Sequence, residues 1–99
     1  MRSARTKALD ISKKVKDRVW ERDGGGCIFC GSPSAFPNAH YIPRSKGGLG
    51  IEENVVTACL ECHRAMDQSP EREGYLWRAR KHLDRQYPGF EDERRVYQK

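Results

Sequence analysis

Two Cys-x-x-Cys pairs, Cys27/Cys30 and Cys59/Cys62, bracket a stretch that carries His40 and Asn54, and the second pair runs directly into His63. One tight turn can present two thiolates to the same ion, and two such turns close an all-cysteine tetrahedron, the set that structural zinc favours. Four cysteines assigned to a structural metal leave His40, Asn54 and His63 free for chemistry. The pattern therefore allows two kinds of metal site in one small fold.

Other uses of the cysteines are open but fit less well. Buried unpaired thiols would need no spacing at all. A redox dithiol is disfavoured because there are two pairs and neither sits in a βαβ pattern. Cys59-Leu60-Glu61-Cys62-His63 matches a c-type haem attachment pattern, but that reading leaves Cys27 and Cys30 unexplained and needs an axial partner and export.

The elements that must position these residues are short. The 99 residues favour one domain, poor in Leu, Ile, Val and Phe, and such a domain usually needs a staple. Ser12 is placed to cap a helix to about Arg22, with Val15 and Val19 on one face. Asp23-Gly24-Gly25-Gly26 ends that helix and leads into the first cysteine knuckle. Phe36 to Ile42 reads as a strand interrupted by Pro37, Arg44 to Gly50 as a basic, glycine-rich loop, and Val55 to Thr57 as a return strand. A helix from Cys59 or Leu60 to about Met66 completes a strand–loop–strand–helix unit. Ser69-Pro70-Glu71 reads as the start of a last helix over about 70–86, with Tyr75, Leu76, Ala79 and Leu83 at helical spacing, and Pro88-Gly89 as its stop. Phe90, Val96 and Tyr97 are candidate anchors in a charged tail. Residues 1–11 read as a basic, poorly ordered arm, and 12–99 as a single domain with its core at 27–67.

Charge points to a polyanion. A third of the residues are charged, with a net charge of +5 and a pI near 9.2. Arg44 and Lys46, with Gly47 and Gly48 allowing close backbone approach, are the candidate phosphate contacts. Arg72, Arg78, Arg80, Lys81 and Arg85 on the last helix, and Arg2, Arg5 and Lys7 in the arm, are weaker ones. No apolar segment follows the basic N-terminus and no run is long enough to span a membrane, so a cytoplasmic protein is expected. In a reducing compartment, paired Cys-x-x-Cys motifs favour metal over disulfides.

Taken together, the residues resemble the HNH (His-Me finger) endonuclease family, whose core is a ββα-metal unit. The resemblance rests on Ala39-His40-Tyr41-Ile42-Pro43-Arg44-Ser45-Lys46-Gly47-Gly48, Glu52-Glu53-Asn54-Val55-Val56 and Cys59-Leu60-Glu61-Cys62-His63-Arg64, with Cys27, Cys30 and Gly31. It is strongest to small phage and prophage HNH proteins. The fold it implies is α+β: a zinc-stapled ββα-metal domain with flanking helices. It implies His40 as general base, His63 as ligand of a catalytic divalent cation, and Asn54 as either a further ligand or the residue that holds the base-bearing loop. Imidazole chemistry agrees, since a neutral ring can take a proton from water near pH 7. The implied reaction is hydrolysis of DNA to 5′-phosphate and 3′-hydroxyl ends, assisted by Mn²⁺ or Mg²⁺; no base-reading element is identifiable in the sequence, so little sequence specificity is expected. A phage packaging terminase is a partner suggested by the resemblance alone.

One position departs from the family. Many members carry a metal ligand just before the base, where this chain has Ala39. Asn38 and Asp67 are candidates to compensate, although spacing alone assigns neither. The departure keeps open a non-catalytic zinc module that binds nucleic acid; a zinc domain for protein interaction is the more distant alternative.

Overall fold

The chain is described over residues 3–98 by a computed structural model. Four helices, α1 (Ala4–Leu9), α2 (Lys13–Arg22), α3 (Leu60–Gln68) and α4 (Arg72–Gln86), surround one antiparallel pair, β1 (Ala35–His40) and β2 (Val55–Cys59). The expected α+β class and the ββα unit, formed by β1, β2 and α3, are both present.

Local chemistry accounts for most boundaries. Ser12 caps α2, its side chain accepting the Val15 N–H at 3.2 Å. The cap of α3 is Cys59, whose Sγ accepts the Cys62 N–H at 3.4 Å, so a candidate metal ligand also starts the helix. Two expectations are corrected here. Ser69 does not start α4; its hydroxyl donates to the Ala65 carbonyl at 2.9 Å and accepts the Glu71 N–H at 3.1 Å, closing α3 instead. α4 consequently begins at Arg72. The arm is also more ordered than its composition suggests. Ala4–Leu9 is helical, capped by Ser3, and Leu9 is buried at 2 % exposure. Arg2 lies outside the described residues.

The sheet is irregular where Pro37 interrupts it. Ala35 and Phe36 pair with Cys59 and Ala58, whereas Ala39 and His40 pair with Val56 and Val55, so Pro37 and Asn38 together stand against Thr57. Proline has no N–H to give a ladder, and an extra residue is a common way to accommodate it. The bulge turns Thr57's backbone outward. Its carbonyl accepts Ile28 N–H of the cysteine knuckle at 3.0 Å, and its N–H donates to Asp23 at the end of α2 at 2.8 Å.

Every residue of β2 is buried. Val56 and Ala58 join Ala35, Ala39, Met66, Ala79 and Leu83 in one cluster with Cys27, Cys59 and Cys62. Val55 and Thr57, facing the other way by strand alternation, are equally buried, and α2 packs against both strands with Val19 fully enclosed. The core is small, and polar bonds brace it. Arg22 donates to the carbonyls of Glu52 and Val55, each at 2.7 Å, and pairs with Asp23. Arg95 is fully buried, bonded to the Glu53 and Phe90 carbonyls and to Asp92, and it anchors the tail together with the Val96 bridge to Gly48 and the Tyr97 N–H bond to the Gly47 carbonyl.

Asp23 is the centre of this bracing. It takes hydrogen bonds from Arg22, from Thr57 and, at 2.7 Å, from His82 of α4. Burial pushes its carboxyl up, but the bonds from His82 and Arg22, the Arg22 charge and the Thr57 N–H together outweigh burial and hold it at about 2. A carboxyl lowered from 3.8 stabilises the fold above that value, and the contribution fades as pH falls towards 2. The expected size is about 2 kcal/mol. Urea midpoints of the wild type and Asp23→Asn, measured between pH 5 and pH 2.5, should converge as pH drops; a constant gap would remove Asp23 from this role.

Candidate metal centre and catalytic cavity

The four cysteines meet although they come from distant segments. Their Sγ atoms all lie within 4.8 Å of one another, and none forms a disulfide. Cys30 and Cys59 Sγ are 3.7 Å apart. Zinc–sulfur bonds of about 2.3 Å in a tetrahedron place sulfurs roughly 3.8 Å apart, so the thiols fit that ion. Their electrostatics also call for a cation. Burial pushes the Cys27 thiol up, but backbone N–H donors, including Phe29's, bring it down to about 7. Burial and the neighbouring thiols push Cys62 far upward. Four thiolates this close repel one another, and a divalent cation relieves that repulsion.

His40 and His63 meet in a second place. A cavity of about 610 Å³ is lined by Asp10, Ile11, Lys16, Asn38, His40, Pro43, Arg44, His63 and Asp67. Helical rotation separates neighbours on α3: Cys62 is buried with the thiols, while His63 faces the cavity with Asp67 one turn on. His63 Nε2 and Asp67 Oδ2 are 3.7 Å apart, a gap that two bonds of about 2.1 Å to one cation can span. Ala39, where a ligand is often found in the family, is fully buried in the core; its neighbours Asn38 and His40 line the cavity instead.

His40 is more than half buried, and its Nε2 lies 2.9 Å from the Leu9 carbonyl. A carbonyl only accepts, so the ring proton sits on Nε2 and the lone pair on Nδ1. Burial lowers the ring's basicity; the Leu9 bond opposes this, and the charges of Arg44 and His63 add to it, leaving His40 below its ordinary 6.5. It is thus held neutral at pH 7.

Asn54 does not line the cavity. It is fully buried, and its side chain is used up within the chain: Oδ1 accepts the Ile42 N–H at 2.9 Å, and Nδ2 donates to the carbonyls of Ile42 at 3.1 Å and Leu49 at 2.9 Å. Of the two roles open to it, this geometry fits the loop clamp and not the metal ligand. Asn54→Ala would strand the half-buried Ile42 N–H and two carbonyls, costing about 3 kcal/mol. The Ile42 amide should then exchange with solvent far faster than in the wild type; unchanged protection would remove Asn54 from the clamp.

The glycines of the basic loop are also reassigned. Gly47 and Gly48 are buried, and their N–H groups donate to the Arg44 and Pro43 carbonyls at 2.9 and 3.0 Å. Gly47 is left-handed at φ 83°, and a side chain on Gly48 would collide with the Ile42 carbonyl. Their small size serves the chain's own tight turn, not approach to a phosphate. Arg44 stands at the cavity, paired with Asp10 at 2.8 Å, and Lys46 is exposed. On α4, Arg78 donates to the Phe29 carbonyl at 2.8 Å and stacks over Phe29, and Arg80 pairs with Asp84 and Asp92. Sequence reasoning missed Asp10, Ile11 and Lys16, which carry no motif. Asp67, a candidate that spacing alone did not assign, stands one helical turn after His63.

Among the described residues no helix is long and apolar enough to cross a membrane. Comparison with curated proteins and with solved structures finds no match. A model of the HNH endonuclease family matches residues 27–73, the span that holds all four cysteines, His40, Asn54, His63 and Asp67. Over that span the chain is similar to the HNH endonuclease family.

Proposed function

We propose that the protein is a metal-dependent DNA endonuclease, with His40 as general base and zinc on Cys27, Cys30, Cys59 and Cys62 as the structural clamp. The observation that carries this reading is the convergence of His40, His63 and Asp67 on one cavity edged by Lys16 and Arg44. A divalent cation on His63 and Asp67, Mn²⁺ or Mg²⁺, would polarise the scissile phosphate and stabilise charge on the leaving oxygen. His40 Nδ1 takes a proton from water as the oxygen attacks phosphorus and the P–O3′ bond breaks; the departing O3′ takes a proton from solvent water, leaving 5′-phosphate and 3′-hydroxyl ends. Arg44 and Lys46 offer positive charge to the backbone of the strand, which carries no sequence information, so low sequence specificity is expected. Asn54 keeps the loop between β1 and β2 in place and does not touch substrate.

The test is incubation of the pure protein with supercoiled plasmid in Mn²⁺ or Mg²⁺, with and without EDTA. Nicked or linear product that EDTA suppresses supports the proposal, and the ratio of the two forms tells single-strand from double-strand cutting. A second reading has its own observation. Among the described residues, the cysteines are the sole cluster of three or more His, Cys, Asp or Glu side chains placed to hold one ion. A protein that binds DNA in a salt-dependent way but cuts it in no divalent ion would be a non-catalytic zinc-stabilised binding module.

A further inference from the structure

The base histidine is held from outside the matched span. We propose that the Ala8–Ile11 segment is a working part of the catalytic site, with the Leu9 carbonyl fixing the tautomer and orientation of His40. This rests on the reading of His40 as general base and goes beyond it, since the positioning group is a backbone carbonyl thirty-one residues upstream.

The geometry gives the segment little freedom. Leu9 is the last residue of α1, where helix carbonyls lack an intrahelical partner, and its carbonyl accepts a hydrogen bond from His40 Nε2–H at 2.9 Å. The Leu9 side chain is buried, which fixes where that carbonyl points. On either side the segment is stitched to the loop that follows β1. Ala8 O accepts the Gly50 N–H at 3.1 Å, and Asp10 pairs with Arg44 at 2.8 Å. Gly50 lies so close that an added Cβ would stand 2.0 Å from the Asp10 carbonyl oxygen. Asp10 and Ile11 then form one wall of the cavity that holds His40 and His63.

The chemical consequence concerns one proton. A free neutral imidazole exchanges between two tautomers, and only one of them presents a lone pair at a given nitrogen. With Nε2–H committed to Leu9, Nδ1 is the nitrogen that can take a proton from water. When it does, the bond to Leu9 becomes charge-assisted and therefore stronger, so it supports the protonated ring as it forms.

Gly50→Ala tests this in the full chain, because the methyl group must push the Asp10–Ile11 backbone away. Leu9→Ala releases the same segment from its buried side and serves if the first variant fails to fold. Three quantities are read: the ¹⁵N shifts of the His40 ring, kcat and KM for plasmid cleavage, and zinc content. The wild type should show His40 protonated on Nε2. The variants should show mixed tautomers, full zinc, unchanged KM and kcat lower by about 10- to 100-fold, the scale of a misplaced catalytic group. A wild-type ring protonated on Nδ1 would overturn the proposal. So would variants with wild-type or faster kcat, the mark of a cover, or a change confined to KM, the mark of a DNA contact. His40→Ala in the same assay separates the two levels. If it cuts normally, the base assignment falls; if it is inactive while the loosened variants match the wild type, only the role of Leu9 falls.

Discussion

His40→Ala should reduce DNA cleavage by about 10³-fold or to background while the protein stays folded and retains zinc. General base catalysis typically supplies 10²–10⁴, and with Nε2 committed to Leu9 the ring keeps its Nδ1 lone pair in the cavity it shares with His63 and Asp67. The fold should tolerate the change. The ring lies at the end of β1, outside the buried cluster, and its loss leaves one carbonyl, that of Leu9, without a partner, at a cost of about 1 kcal/mol. Plasmid nicking, zinc content and thermal midpoint measured on the same preparation check all three parts. Cutting at the wild-type rate would sink the assignment. The pH profile adds a sign. Burial holds His40 below 6.5, so the base form persists under that pH and is lost only as pH falls through the lowered value. The pH at which cleavage falls to half its plateau should therefore lie below 6.5.

Removing the metal from the cysteines should unfold the protein. Structural zinc binds such sites with an apparent 10–16 kcal/mol, and a chain of this length is usually stable by only about 5–15 kcal/mol. The geometry makes the dependence concrete. The knuckle at Cys27–Cys30 is tied to β2 through Ile28 and Thr57, while Cys59 and Cys62 begin α3, so an ion on the thiols would join the knuckle to the helix that carries His63. A strong chelator, or Cys62→Ser, should abolish the cooperative thermal transition and most helical circular dichroism. Mild EDTA should stop cleavage first, reversibly, with zinc still bound. A zinc-free protein that melts at the wild-type temperature would show that the thiols are not the clamp.

The legible part of the fold was the part governed by local chemistry. Ser12 caps α2 because a hydroxyl at that position meets free N–H groups whatever surrounds it, and the cysteine spacing assembles one cluster because a knuckle is a local turn. Ser69 misled because Ser-Pro-Glu marks a helix start in isolation; here α3 runs on to Gln68 and takes the hydroxyl for its own end. Among the site residues, His40 and His63 could be aligned by motif, whereas Asp67 could be named only as a candidate that spacing did not assign. The Leu9 carbonyl could not, because a backbone atom has no sequence signature. Gly47 and Gly48 were legible as special but not as to why, since the collision that demands a glycine at 48 is with Ile42, a contact created by the turn itself. Asp23 read as a helix end and proved to be the node of the buried polar network, because its partners Thr57 and His82 are remote in the chain.

That remoteness bears on the order in which the molecule assembles. Asp23 meets Thr57 across 34 positions and His82 across 59, whereas Asn54 reaches Leu49 across five and Ile42 across twelve. Closing a chain loop costs more entropy the longer it is, and long-range contacts are rewarded only once that cost has been met. The hairpin clamp that Asn54 makes can therefore form early, and the Asp23 node closes late, when α2 and α4 dock on the sheet. On loop length, the Asn54 clamp can take shape before the Asp23 node that braces it.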